Sequence, residues 1–126
     1  MSDPVMPELS TVSWTASATG LNFHDLAEGS GDACANGNNA TVHYSGWLES
    51  GSLFDSSKTR GTPFTVEGVG QAPVIDGWNE GLVGMKPGGR RLLKIPSSLG
   101  YGDMGIDGVI PGGATLIFEV ELLSVS

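Results

Sequence analysis

The sequence predicts an α+β domain: a curved antiparallel sheet of five to six strands wrapped around one short α-helix. Three observations carry this. The last segment, Ala114 to Leu123, alternates cleanly, with Leu116, Phe118, Val120 and Leu122 on one side and Glu119 and Glu121 on the other. Sheets of that pattern are antiparallel and covered on their apolar face. Only one stretch has a helical stripe, with Ile75, Trp78 and Leu82 at i, i+3 and i+7. Twenty glycines and seven prolines punctuate everything else into strand-length pieces.

The elements follow in order. Residues 1–17 are rich in Ser, Thr and Pro without periodicity, and read as a partly ordered tail in which Trp14 docks. The domain then runs from 18 to 126. Leu21 to Leu26 is a strand with Leu21 and Phe23 on one face, and Ala40 to Leu48 is a second, aligning Val42, Tyr44 and Gly46. Between them a Gly- and Asn-rich connection holds Cys34 as a turn residue. Leu53 to Asp55 and Pro63 to Val66 are short extended pieces. The helix is expected from Pro73, which suits a first-turn position, to about Val83. Gly77 and Gly81 inside it each cost about 1 kcal/mol relative to Ala, so another element should approach closely there. Lys86-Pro-Gly-Gly89 is a turn, and Arg90 to Ile95 a strand.

Composition removes several classes of function. A chain of 126 residues supports one core. Its net charge is −8, and all six basic residues lie between Lys58 and Lys94, so phosphate backbones are repelled and nucleic acid is not an expected partner. No apolar stretch approaches the roughly 20 residues of a membrane helix, so no membrane partner is expected. The first residues lack a basic and apolar leader, and the expected compartment is the cytoplasm; a mature secreted chain would read the same. The single Cys34 allows neither an internal disulfide nor a multi-cysteine metal site.

Motifs for bond-breaking chemistry are missing too. There is no Gly-x-Ser-x-Gly elbow and no His-Glu-x-x-His. His24 and His43, the two histidines, both fall in strands. Gly68-Val-Gly70 lacks the third glycine and the lysine of a phosphate loop, and Asp103 to Asp107 lacks the alternating oxygens of a calcium loop. What remains is a set of large apolar and aromatic residues beside loops: Tyr44, Phe54, Phe64, Val74, Ile75, Trp78, Tyr101, Ile110 and Phe118. They come from different elements that would converge on the helix, and the two tyrosines keep a polar tip for a ligand.

At these residues the chain closely resembles the FKBP family of peptidyl-prolyl isomerases, which bind tacrolimus and rapamycin. The resemblance runs from about Gly20 to the C-terminus through Val42-His-Tyr-Ser-Gly46, Phe54-Asp-Ser-Ser57 with Arg60, Pro63-Phe64, Val74-Ile-Asp-Gly-Trp78, Tyr101-Gly102, Ile110-Pro111 and Ala114-Thr-Leu-Ile-Phe118. It implies a monomeric isomerase acting on proline-containing polypeptides, sensitive to those macrolides, with neither metal nor cofactor. It also implies a pocket lined by Tyr44, Phe54, Asp55, Phe64, Val74, Ile75, Trp78, Tyr101 and Phe118, with Ile110 at the rim. Trp78 would be its floor, and Asp55, oriented by Tyr44 and Arg60, the polar residue nearest the scissile-free rotating bond. Tyr101 and the Ile75 N–H would hold substrate carbonyls. Departures are Val66, where many relatives have an aromatic and the wall is expected to thin, one extra residue between Phe64 and Trp78, Ile106 in the long loop, and Gly112-Gly113 after Pro111. The same pocket would also suit a module that holds proline segments with little turnover.

Overall fold

A computed structural model describes residues 4–126. Its strands are β1 (Thr15–Ala16), β2 (Asn22–Ala27), β3 (Ala40–Leu48), β4 (Leu53–Ser56), β5 (Phe64–Val66), β6 (Arg90–Ile95) and β7 (Leu116–Val125), with helices α1 (Ser57–Arg60) and α2 (Asp76–Gly81). All pairings are antiparallel, in the order β1-β2-β6-β7-β3-β4, and β5 pairs with β3 beyond the end of β4. The predicted class is found, as an open sheet with seven strands rather than five to six and a second, four-residue helix. Both additions are too short to show a period. β1 has two residues, paired as Thr15 to Phe23 and Ala16 to Asn22, and it belongs to the segment read as a tail.

The core fills the concave side. Val42 and Tyr44 from β3, Leu93 and Ile95 from β6, and Leu116, Phe118, Val120 and Leu122 from β7 are buried together with Trp78, Leu82 and Met85. The glycines of α2 explain how the helix seats there. A Cβ on Gly77 would stand 2.7 Å from Ile95 Cδ1 and Cγ2, and one on Gly81 would stand 2.7 Å from Leu93 Cδ2. The expected close approach is that of α2 onto β6.

Two expectations about the helix and the sheet need correction. α2 begins at Asp76, not Pro73, because Ile75 is extended (φ −60°, ψ 150°) and acts as the cap. Residues 72–74 instead close a tight turn, Val74 N–H to Ala72 C=O at 2.8 Å. The sheet is also not one-sided. Trp47 and Ile117 are neighbours across β3 and β7, lie opposite the core side chains, and are 2% and 0% exposed. The segment from residue 4 onward reaches Trp47 on this face. Trp47 Nε1–H donates to the Pro4 carbonyl at 3.2 Å, and His24 Nδ1–H donates to the Ser13 carbonyl at 3.1 Å. Trp14, expected to dock, is half-buried with the Lys94 ammonium 6.0 Å from its ring centre. Cys34 is buried rather than a surface turn residue, its N–H donating to Met85 and its carbonyl accepting from Gly84; burial pushes its thiol pKa up.

Candidate active site

The site is a cavity of about 170 Å³ open on one side between the concave face and α2. Its walls are Tyr44, Phe54, Asp55, Phe64, Pro73, Val74, Ile75, Tyr101 and Phe118, and Trp78 lies among them. Trp78 is 4% exposed, placed by α2, and surrounded edge-on by other rings. Tyr44 lies 4.8 Å from it at 83°, Phe118 5.4 Å at 85°, and Phe64 6.1 Å at 69°. Edge-to-face contacts of this kind favour one arrangement by about 0.5–1.5 kcal/mol per pair beyond burial. The Trp78 indole N–H is the one buried side-chain donor without an acceptor among the described residues.

Local backbone features bring consecutive residues to this cavity. On β4, Asp55 pairs with Gly46 and Leu53 with Trp47, so Phe54 is the extra residue of a bulge. A bulge re-aims side chains, and both Phe54 and Asp55 reach the cavity although they are adjacent in sequence. Gly46 makes room behind them: a Cβ there would meet Phe118 Cε1 at 2.6 Å and Phe54 Cζ at 2.8 Å. Ser56 and Ser57 then tie α1 to β3. Ser57 Oγ accepts from Tyr44 N–H at 2.8 Å, Ser56 Oγ donates to the Tyr44 carbonyl at 3.1 Å, and Ser56 caps α1 by accepting from Lys58 N–H. The helix ends at Gly61 in the left-handed region (φ 72°), and Arg60, its last residue, reaches back to the pocket's polar edge.

That edge is a closed triangle. Tyr44 O–H donates to Asp55 Oδ2 at 2.6 Å, Arg60 Nη2 donates to Tyr44 Oη at 2.8 Å, and Arg60 Nη1 donates to Asp55 Oδ1. Partial burial pushes the Asp55 carboxyl pKa up, but the hydrogen bonds from Tyr44 and Arg60 outweigh it and hold the group below its ordinary range. Burial, with Asp55 beside them, pushes both the Tyr44 and Tyr101 phenols up. Asp55 is therefore an ionised acceptor at neutral pH, and both tyrosines are donors.

Of the residues singled out from sequence, Tyr44, Phe54, Asp55, Phe64, Val74, Ile75, Trp78, Tyr101 and Phe118 meet at the cavity. Arg60 stands behind Asp55 and Tyr44 rather than on the wall. Ile110 is not at the rim. It is 4% exposed, packed in the core and bridged to Ile106, because the long loop folds back on itself there. Val66 is not among the wall residues; its side chain is 1% exposed within the core. Pro73 was missed as a wall residue because it reads as the first residue of a helix; its place directly before Val74 was the available signal. Gly46 and the Ser56–Ser57 pair were also missed in their supporting roles.

Residues 31–123 match the family described as FKBP-type peptidyl-prolyl cis-trans isomerase. The chain belongs to that family. It is 59% identical over 107 residues to the FK506-binding protein of Neisseria meningitidis serogroup B, covering 84% of this chain and 96% of that one. It is 54% identical over 91 residues to the peptidyl-prolyl cis-trans isomerase FPR2 of Saccharomyces cerevisiae, covering 71% and 66%. The fold matches the crystal structure of FkpA from Escherichia coli with a TM-score of 0.82 at 41% identity over 90% of this chain, which spans 51% of that one. The cavity above Trp78 thus belongs to a peptidyl-prolyl cis-trans isomerase. The FKBP resemblance drawn from the motifs is borne out at the level of family, fold and reaction.

Proposed function

We propose that this FKBP-type isomerase turns X–Pro bonds by enclosing them in the Trp78 cavity, with neither nucleophile nor proton transfer. The single observation that carries the proposal is the composition of the cavity: aromatic and aliphatic walls with one polar edge whose carboxylate already accepts from Tyr44 and Arg60. The planar amide is held by resonance behind a barrier of about 18–20 kcal/mol. Twisting it makes a less dipolar amide, and no heavy-atom bond forms or breaks. A dry apolar site disfavours the dipolar planar form relative to the twisted one, which is differential binding of the transition state. Raising the rate from about 10⁻² to about 10³ s⁻¹ requires about 7 kcal/mol.

In this scheme the proline ring rests on Trp78 between Tyr44, Phe64 and Phe118. The Ile75 N–H donates to no backbone carbonyl among the described residues, and Tyr101, 37% exposed, lines the cavity; both are free to hold substrate carbonyls. Asp55 orients dipoles near the rotating bond. Tacrolimus and rapamycin, the ligands of the family, would occupy the same cavity, and the protein would act as a monomer on proline-containing chains. The test is refolding of a protein limited by proline isomerisation, with and without rapamycin. Acceleration that rapamycin abolishes is the expected result. Rapamycin binding without acceleration would leave a proline-holding module and refute the catalytic reading of this pocket.

A further inference from the structure

The stretch between β5 and α2 carries Val74 and Ile75 to the cavity, yet it has no strand or helix of its own to hold it. It contains Gly68 and Gly70 in the left-handed region (φ 76° and 104°) and is irregular throughout. Asn39 Oδ1 accepts from Gly68 N–H at 3.1 Å at its start, and a single side chain secures the part next to the cavity. Asn79, in the middle of α2 and 9% exposed, accepts from Gly70 N–H at 2.8 Å and Ala72 N–H at 3.0 Å through Oδ1. Its Nδ2 donates to the Ala72 carbonyl at 3.0 Å and the Val74 carbonyl at 3.5 Å. A primary amide offers two donors and one two-lone-pair acceptor, and this one spends all of them on the loop. Asn is a poor choice for a helix interior, so its place in α2 is explained by these bonds and not by propensity.

We propose that Asn79 is a positioning residue that sets the orientation of the Val74–Ile75 peptide, and through it the Ile75 N–H offered to substrate. The Val74 carbonyl and the Ile75 N–H belong to one peptide unit. That unit is planar, and no peptide bond in the described chain is cis. A carbonyl turned toward Asn79 therefore sends the N–H to the opposite side, away from α2's interior. The long bond from Asn79 Nδ2, at 3.5 Å, is the one hydrogen bond recorded to that peptide unit among the described residues. The proposal rests on the reading that the Ile75 N–H holds a substrate carbonyl, so its test separates the two.

The experiment is a double-mutant cycle on kcat and KM for a short X–Pro peptide. Asn79→Leu keeps the size and deletes all four bonds. Ile75→Pro deletes the N–H at a residue whose φ of −60° already suits proline. Ile75→Ala controls for the lost side chain, and thermal melts confirm that each variant folds. If Asn79→Leu does not fold, Asn79→Asp replaces it, keeping the acceptor and losing the donors. The expected result is a KM raised on the order of ten-fold by either change, with kcat little altered, and a double variant no worse than Ile75→Pro alone. Additive effects, or an unchanged KM in Asn79→Leu while Ile75→Pro raises it, would overturn the role of Asn79 and leave the N–H reading intact. A KM in Ile75→Pro equal to that of Ile75→Ala would overturn both.

Discussion

Replacing Asp55 with alanine discriminates between a pocket that works by shape and one that works by proton transfer. Asp55 and Arg60 form a pair whose side chains are 40% and 50% exposed, so solvent screens it and its loss removes about 0.2–1 kcal/mol. The Tyr44 hydrogen bond is the larger contribution, but Tyr44 Oη keeps its contact with Arg60 Nη2 at 2.8 Å and the ring keeps its place against Trp78. Loosened orientation at the polar edge should then raise the barrier by about 1–2 kcal/mol, a fall in kcat of roughly 5- to 30-fold. A general acid or base contributes about 10²–10⁴ instead. Asp55→Asn, which keeps an acceptor for Tyr44 without the charge, should fall by less than Asp55→Ala. The assay is magnetisation exchange between the cis and trans signals of a short X–Pro peptide, read at several peptide concentrations to separate kcat from KM. A loss of a hundredfold or more in kcat for Asp55→Ala, with KM unchanged, would refute the reasoning.

Further outcomes are expected. Trp78→Ala empties the floor and should cost about 3–5 kcal/mol in urea unfolding together with loss of rapamycin binding; a stable variant that still bound the drug would contradict the assigned position. Gly81→Ala gains about 1 kcal/mol in helix propensity but drives a Cβ against Leu93 at 2.7 Å, an overpacking cost of about 1–3 kcal/mol, so the melting temperature should not rise. The Asp55 carboxyl has a lowered pKa in the folded protein, so its contribution to stability is complete above the ordinary carboxylate range. It is lost as pH falls through the lowered folded value, and acid unfolding of Asp55→Ala should accordingly be shallower than that of the parent.

The fold was legible where the chain carries long alternation or a stripe. β3 and β6 gave their extents and β7 its two faces, though not its ends (Leu116–Val125 rather than Ala114–Leu123), because their side chains are sorted between two environments, and Ile75, Trp78 and Leu82 marked the covering helix. The wall residues were legible through family motifs. What escaped was set by tertiary contact. Asn79 takes the backbone groups of 70–74 and so prevents the helix from starting at Pro73. The bulge at Phe54 depends on pairing with a strand that is distant in sequence. Trp47 and Ile117 are buried on the face opposite the core, and the N-terminal stretch that reaches Trp47 there carries no period of its own. Ile110 carries a motif but is drawn inward by the fold-back of its own loop.

The bond from Trp47 to Pro4 gives the molecule a front and a back. The cavity opens on the concave face, while the polypeptide ahead of β1 is fastened to the convex one. Pro4 is therefore held behind the sheet, on the face away from the cavity. Immobilised by that end, the molecule would present its cavity outward to a proline-bearing chain in solution.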